Sequence, residues 1–347
     1  MEIIINKDKD FYRQFPDSET CRKYLELKRW NGIPTCTKCG NNHNNYYIKT
    51  RKVYKCSSCR KQFTILQGTI FQCTKVPLED WFYAIFLFVQ NKGKHGLAST
   101  ILAGKIDVQQ KTAWLMLHKI RHTMKDENMK RVLSGIVESD EAYIGSKPGR
   151  DQRLQKRMKD YVNENGKKYE HLKAIFGIID RYSGTIVLRK FGWTRNCLTN
   201  TIANHLLKKH VNTISTVNTD AHKGYSKLEI HFHSHHVIRK KREVTKKNKE
   251  GEEVKVEIIS YVDGKKHVNG IENVWKHFQS MEKFVYHQFS YKHTDRYLDE
   301  FAFRWNRRKQ LVGVKMMETI DNAFGKTITY KELKRWNHEF QSKPWYN

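Results

Sequence analysis

Apolar positions change their rhythm twice along the chain. Between residues 77 and 91 the run Leu78-Glu-Asp-Trp-Phe-Tyr-Ala-Ile-Phe-Leu-Phe-Val89 is apolar nearly all round, which predicts the central helix of a small bundle. After a Gly-rich break, Lys92-Gly-Lys-His-Gly96, a short apolar stretch runs from Leu97 to Ala103. From Val108 to Arg121 the residues Val108, Ala113 or Trp114, Leu117 and Ile120 then recur at helical spacing. Past residue 132 the rhythm becomes that of strands. Residues 132 to 145 read as a strand ending near Asp140. Leu172 to Asp180 and Thr185 to Phe191 read as a hairpin turning at Arg181-Tyr-Ser-Gly184. An amphipathic helix from about Asn196 to His210 follows, its faces marked by Leu198, Ile202, His205, Leu206 and Lys209. Next comes the strand Ser215-Thr-Val-Asn-Thr-Asp220, and His267-Val-Asn-Gly-Ile-Glu-Asn-Val-Trp-Lys276 reads as a further helix.

Composition supports folded domains: 38% of residues are hydrophobic and 12% aromatic. Charge narrows the partner. Lys and Arg total 65 against 36 acids, a formal net charge of +29 spread over both halves. Double-stranded nucleic acid is the leading expectation, since phosphate contacts release counterions whatever the sequence; a ribosome-associated or membrane-surface protein is the alternative. No window reaches the roughly 18 apolar residues of a membrane span. The opening Met-Glu-Ile-Ile-Ile-Asn-Lys-Asp lacks the basic region of a signal peptide, so an intracellular protein is expected, without a membrane. Its seven cysteines should then stay reduced, and their arrangement reads as metal binding rather than a disulfide framework.

Cys36-Thr-Lys-Cys39 and Cys56-Ser-Ser-Cys59 are two C-x2-C knuckles sixteen residues apart. Tyr46 to Tyr54 between them can form a hairpin that brings the pairs together on one Zn²⁺. Four protein ligands leave no open position, so this zinc should be structural. Cys21, Cys73 and Cys197 are expected to be small buried hydrophobes. The helical pair after the ribbon resembles a helix-turn-helix whose second helix opens with Gln109, Gln110, Lys111 and Thr112, the positions that meet base edges in the major groove.

Three antiparallel strands, a helix and a further strand ending in an acid give the ribonuclease H-like order, in which the first and fourth strands are neighbours. Asp140 and Asp220 then meet. With Glu272 they form the skeleton of a two-metal phosphoryl-transfer site for Mg²⁺ or Mn²⁺, in which Asp140 bridges the ions and Asp220 holds one. For the third ligand the helix offers Asn269 or Glu272 on one face, with Lys276 beyond them in reach of a phosphate. Glu138 shares the strand parity of Asp140, whereas Glu141 should point away.

Several of these segments, taken together, are similar to the IS1595 (ISXO2-like) transposases, relatives of the eukaryotic Merlin elements. The segments are Phe15 to Cys36, Cys59 to Phe71, Gln110 to Trp114, Glu138 to Gly145 and Tyr297 to Arg308, and the likeness runs from about residue 12 to 310. It implies a zinc ribbon and helix-turn-helix that recognise terminal inverted repeats. A DDE-type catalytic domain then cleaves the element ends and joins the 3′-hydroxyls to target DNA, acting as a homodimer or higher assembly. It also implies Asp140 and Asp220 as the first two catalytic acids. In the family the third position is Glu or Asn followed seven residues later by Lys, which selects Asn269 with Lys276. On charge we place the third ligand at Glu272, with Asn269 as the alternative. A ribonuclease H-like nuclease or resolvase, or a DNA-binding derivative without catalysis, would share most of these features. Localisation follows the host: cytoplasm and nucleoid in a bacterium, nucleus in a eukaryote.

The expected fold is thus an α+β multidomain chain. Residues 1–75 form a zinc ribbon, 76–130 a helix-turn-helix domain, 131–310 a ribonuclease H-like α/β catalytic domain and 311–347 a C-terminal tail. A basic insertion at about 237–263, rich in Lys and Arg from Arg239 to Lys247, reads as a charged hairpin that can grip DNA. Lys147 to Lys168 reads as a mobile basic loop near the site.

Overall fold

The computed structural model describes residues 5–90, 96–125, 131–145, 173–192, 197–238, 241–247, 253–259, 262–263, 266–287 and 289–334. The basic loop expected at 147–168 lies outside them. The described chain divides into two compact units. One takes the residues up to Lys125 and those from Arg307 onward; the other takes those between.

The first unit opens with α1 (Asp8–Gln14) and α2 (Ser18–Trp30). Asp17 caps α2 by accepting the Thr20 N–H at 2.7 Å, and Asn31 ends it in the left-handed region that asparagine tolerates. Strands β1 (Tyr46–Ile48), β2 (Val53–Lys55) and β3 (Gln62–Phe63) form an antiparallel sheet. Helix α3 (Leu78–Gln90) is buried on almost every side, as its unbroken apolar run predicts. Ribbon and helices share aromatic packing. Trp30 of α2 meets Tyr54 and Phe63 edge-on at 5.7 Å, and Phe11 of α1 stacks on Phe86 of α3 at 5.4 Å. The ribbon and the helical module, read as separate lobes, therefore belong to one compact unit.

Helices α4 (Ser99–Lys105) and α5 (Gln110–Thr123) follow, joined by a short turn in which Asp107 takes a left-handed φ of 48°. Gln110 Nε2 donates to Ser99 Oγ at 2.9 Å, tying the two helix starts together. Ala113, Met116, Leu117 and Ile120 give α5 its buried stripe.

In the second unit, β4 (Ile136–Ile144), β5 (Lys173–Asp180), β6 (Ile186–Gly192), β7 (Thr216–Asp220) and β8 (Ser234–Ile238) form one mixed sheet in the order β6-β5-β4-β7-β8. Strands β4, β5 and β6 are antiparallel neighbours, while β4 with β7 and β7 with β8 run parallel. Helix α6 (Asn200–His210) connects β6 to β7. It covers one sheet face, setting Ala203, Leu206 and Leu207 against Val137, Phe176 and Val187. Between β8 and the next helix a two-stranded hairpin of its own, β9 (Lys241–Lys247) with β10 (Glu253–Ile259), occupies the expected basic insertion; β11 (Val262–Asp263) and β12 (Lys266–His267) pair after it.

Helices α7 (Asn269–Met281) and α8 (Thr294–Asn306) cover the other face. There Ile271, Val274, Trp275 and Phe278 of α7 and Leu298 and Phe301 of α8 pack on Ile175, Ile179, Ile186 and Leu188. Helix α7 seats closely because β5 offers Gly177: a Cβ there would come within 2.5 Å of the Trp275 ring and 2.8 Å of Ile271. Gly177→Ala is expected to destabilise the protein by roughly 1–3 kcal/mol through overpacking, read as a lowered denaturant midpoint at unchanged slope.

Residues 311–347, read as a tail, are no tail where the structure describes them. Helices α9 (Val312–Asp321) and α10 (Tyr330–Lys334) return the chain to the first unit. Tyr24 OH lies 2.8 Å from Met317 Sδ, and Arg307 holds Glu318 through two hydrogen bonds of 2.6 Å. Phe324 bridges to Thr69, and Lys326 Nζ donates to the Thr123 carbonyl at the end of α5 at 2.9 Å. Of the three unpaired cysteines, Cys21 is buried and Cys197 half-buried; Cys73 is exposed at φ 57°, contrary to its reading as a core residue.

Candidate active site and zinc site

Strands β4 and β7 are hydrogen-bonded only over Ile136↔Thr216, Val137↔Val217 and Glu138↔Asn218. The same offset separates Asp140 from Asp220, so the two acids stand level just where the ladder has ended and the edge of β4 is open. Among the described residues, one oxygen each from Asp140, Glu141 and Asp220 lie within 4.8 Å of one another. Glu141 corrects the sequence reading, in which strand alternation sent it away from Asp140. Alternation fixes the face from which a side chain leaves; at an unpaired edge two neighbours can both bend round into the gap.

Each acid has an orienting partner. Trp275 Nε1 on α7 donates to Asp140 Oδ2 at 3.0 Å. The buried Tyr225 hydroxyl donates to Glu141 Oε2 at 2.8 Å, and His222 Nε2 lies 3.8 Å from Glu141 Oε1. The His222 backbone N–H donates to Asp220 Oδ1 at 2.9 Å, and Gly224 N–H donates to His222 Nδ1 at 3.0 Å. Burial, then the charges of Glu141 and Asp220, push the Asp140 carboxyl up to about 7, against the Trp275 hydrogen bond. Burial raises Glu141 to about 7 as well, opposed by the Tyr225 hydroxyl and aided by Asp220. Carboxylates that resist ionising together, gathered at one point and offering only oxygens, are a donor set suited to a hard divalent cation.

Glu138 has another occupation. It is 1% exposed; its Oε1 accepts from Arg181 Nε at 2.9 Å and Nη2 at 2.8 Å, with His267 Nδ1 at 3.2 Å. Its Oε2 accepts the Ile271 backbone N–H at 3.1 Å, so Glu138 caps the start of α7. That helix carries Asn269, exposed in its first position, a half-buried Glu272 and an exposed Lys276. Glu272 is not in the converging group, although Trp275, three residues beyond it, touches Asp140.

The cysteines fit zinc. Cys36 Sγ is 3.7 Å from Cys59 Sγ, and Cys39 Sγ 3.6 Å from Cys56 Sγ. The edge of a ZnS₄ tetrahedron with ~2.3 Å bonds is about 3.8 Å. Both knuckles fold alike: Cys36 N–H donates to the Asn41 carbonyl at 2.8 Å and Cys56 N–H to that of Lys61 at 2.9 Å, with Gly40 and Arg60 at positive φ. Burial opposes ionisation of Cys56, but the Cys59 N–H, the Cys39 thiol and the Ser58 N–H outweigh it and bring its pKa to about 6, ready for a metal. At the start of α5, Gln109, Gln110 and Lys111 are exposed and Thr112 is half-buried.

Trp275, Tyr225, Arg181 and His222 escaped the sequence reading. Trp275 had a usable signal, its place one turn after Glu272; Tyr225 and Arg181 had none. Among the described residues no helix is long and apolar enough to cross a membrane.

Comparison with known proteins agrees with both sites. Residues 16–62 match the transposase zinc-ribbon domain, spanning all four zinc-site cysteines and so both knuckles, and residues 132–306 match the ISXO2-like transposase domain, spanning the sheet and all three converging acids. A protein of Halobacterium salinarum described as an uncharacterized protein in transposable element ISH50 is 24% identical over 180 residues, half of this chain and 58% of that relative's length. With half of its residues in the catalytic-domain match and a matching ribbon ahead of it, the chain belongs to the IS1595, or ISXO2-like, transposase family.

Proposed function

We propose that this protein is a DDE-type DNA transposase that binds terminal inverted repeats through its first unit, cleaves the element ends and joins the 3′-hydroxyls to target DNA. The observation that carries the reading is the convergence of Asp140 and Asp220 from neighbouring parallel strands, with Glu141 beside them. The sheet order is that expected of a ribonuclease H-like domain, and the Halobacterium relative's place in a transposable element points the same way. The start of α5 fits a recognition helix: exposed polar side chains on a helix that follows a short turn.

In this reading Asp140 and Asp220 hold divalent cations, Mg²⁺ or Mn²⁺, with Glu141 available as a further oxygen donor. Such a pair supplies an activated water or 3′-hydroxyl and neutralises the leaving oxygen. The protein's own part is positioning. Trp275 fixes one oxygen of Asp140, Tyr225 fixes one of Glu141, and the Glu138 cap sets the helix that presents Glu272 and Lys276. Lys276 is suited to a phosphate of the bound strand. Cleavage and joining are both displacements at phosphorus, so one site serves both. Two ends processed together call for at least a dimer on DNA.

The direct test uses duplexes carrying the inverted repeats that flank the coding sequence, with Mg²⁺ or Mn²⁺. Cleaved ends and joined products are expected. Cleavage without joining would leave a nuclease or resolvase, and binding without either a DNA-binding derivative. Glu272→Gln is expected to lower metal-dependent cleavage about 100-fold, some 2.7 kcal/mol of transition-state stabilisation, with end binding kept. A loss of that size in Asn269→Ala, with Glu272→Gln near wild type, assigns the third ligand to Asn269 instead.

A further inference from the structure

We propose that α10 joins the start of α5 to form one composite surface for DNA phosphates, built from Lys111 and Lys334 around one ring and from Lys331 on the same short helix. The idea rests on the reading of α5 as a DNA-contacting helix and adds to it a partner from the far end of the sequence. Tyr330, the first residue of α10, carries two ammonium groups: Lys111 Nζ and Lys334 Nζ each lie 4.9 Å from its ring centroid. Its ring also meets Trp114 of α5 edge-on at 6.4 Å. The approach is fixed by the bridge from Thr69 to Phe324, the Gly325 N–H donating to the Gly68 carbonyl at 2.8 Å, and the hydrogen bond from Lys326 to Thr123.

Charge decides what this arrangement suits. Lys111, Lys331 and Lys334 are exposed, and among the described residues none has an acidic partner. The acid of α10, Glu332, turns back to the Thr329 hydroxyl at 2.8 Å. Gathering like charges on one ring is tolerable only with counterions close by, and displacing counterions is what favours a duplex backbone. The exposed Gln109 and Gln110 immediately precede Lys111 in the sequence, which suits base edges for the glutamines and phosphates for the lysines.

The test is the salt dependence of binding by the full-length protein to a short random-sequence duplex. Lys331→Ala with Lys334→Ala is expected to lower the slope of log affinity against log salt by about 1.8 and weaken binding roughly tenfold or more near physiological salt. The loss should be the same on a duplex carrying the flanking repeats. Lys208→Ala with Lys209→Ala, exposed on α6 and equal in charge change, should leave the slope in place. An unchanged slope in the α10 variant, or an equal fall in the α6 control, overturns the proposal. If Lys111→Ala lowers the slope while the α10 variant does not, the α5 reading stands and the composite surface alone fails. If Lys111→Ala has no effect, both fall. Unaltered thermal melting and zinc content separate these outcomes from misfolding.

Discussion

Asp140→Asn is expected to abolish cleavage and joining, by about 10³-fold or more, while making the metal-free protein more stable at about pH 8. The two effects share one cause. In the folded chain the Asp140 carboxyl titrates at about 7 against an ordinary 3.8, because it is buried beside Glu141 and Asp220. Between about pH 4 and pH 7 the folded state therefore keeps a proton that the unfolded state has released, and stability falls as pH rises through that window. Above it the whole penalty applies, roughly 2–4 kcal/mol for this group. Asparagine removes the charge and with it the penalty, so melting at about pH 8 should rise by several degrees, and the gain should vanish below about pH 4. Mg²⁺ or Mn²⁺ should raise the melting temperature of the wild type and much less that of the variant. A variant that keeps cleavage, or that is less stable than wild type at every pH, would rule out this site as the catalytic centre.

Removing zinc should have the larger structural effect. Metal binding to such ribbons contributes about 10–16 kcal/mol of apparent folding free energy near neutral pH. In this chain that energy holds a three-stranded sheet too small to stand alone, on which Trp30 rests through Tyr54 and Phe63. Cys56→Ser, or a strong chelator, is expected to release the metal, melt the ribbon and eliminate end binding. Cobalt substitution gives a direct readout, since thiolate-to-metal absorption appears only with the site assembled. Retained end binding in a zinc-free variant would contradict the role given to the ribbon.

Much of this architecture can be read from residue order, for reasons that differ by element. The run from Leu172 to Asp180 became β5 with one residue's difference because it is buried on both faces and pairs with local neighbours. The two C-x2-C knuckles carry their geometry in their spacing. Asp140 and Asp220 could be paired from strand order alone. Glu141 could not: its place depends on β7 ending two residues after its last pair with β4, a tertiary fact that overrides alternation. Glu138 looked like a rival of Asp140 because the charge of a side chain is visible in sequence and its partner is not; Arg181 and the start of α7 claim it. Residues 311 to 334 read as a tail because their apolar positions are modest. They become helices against a surface supplied by segments about 300 positions earlier, as Tyr24 and Met317 illustrate.

That return of the chain sets an order of events during synthesis. Translation delivers the strands β4 to β8 and helices α7 and α8 before α9 and α10, so the sheet that gathers the acids has all its residues while the first unit still lacks part of its packing. A nascent chain halted after Asn306 would hold every residue of the acidic cluster while its first unit lacked α9 and α10. On the proposed reading of the first unit as the DNA-binding part, a chain that carries α9 and α10 would therefore hold an element end better than one cut short before them.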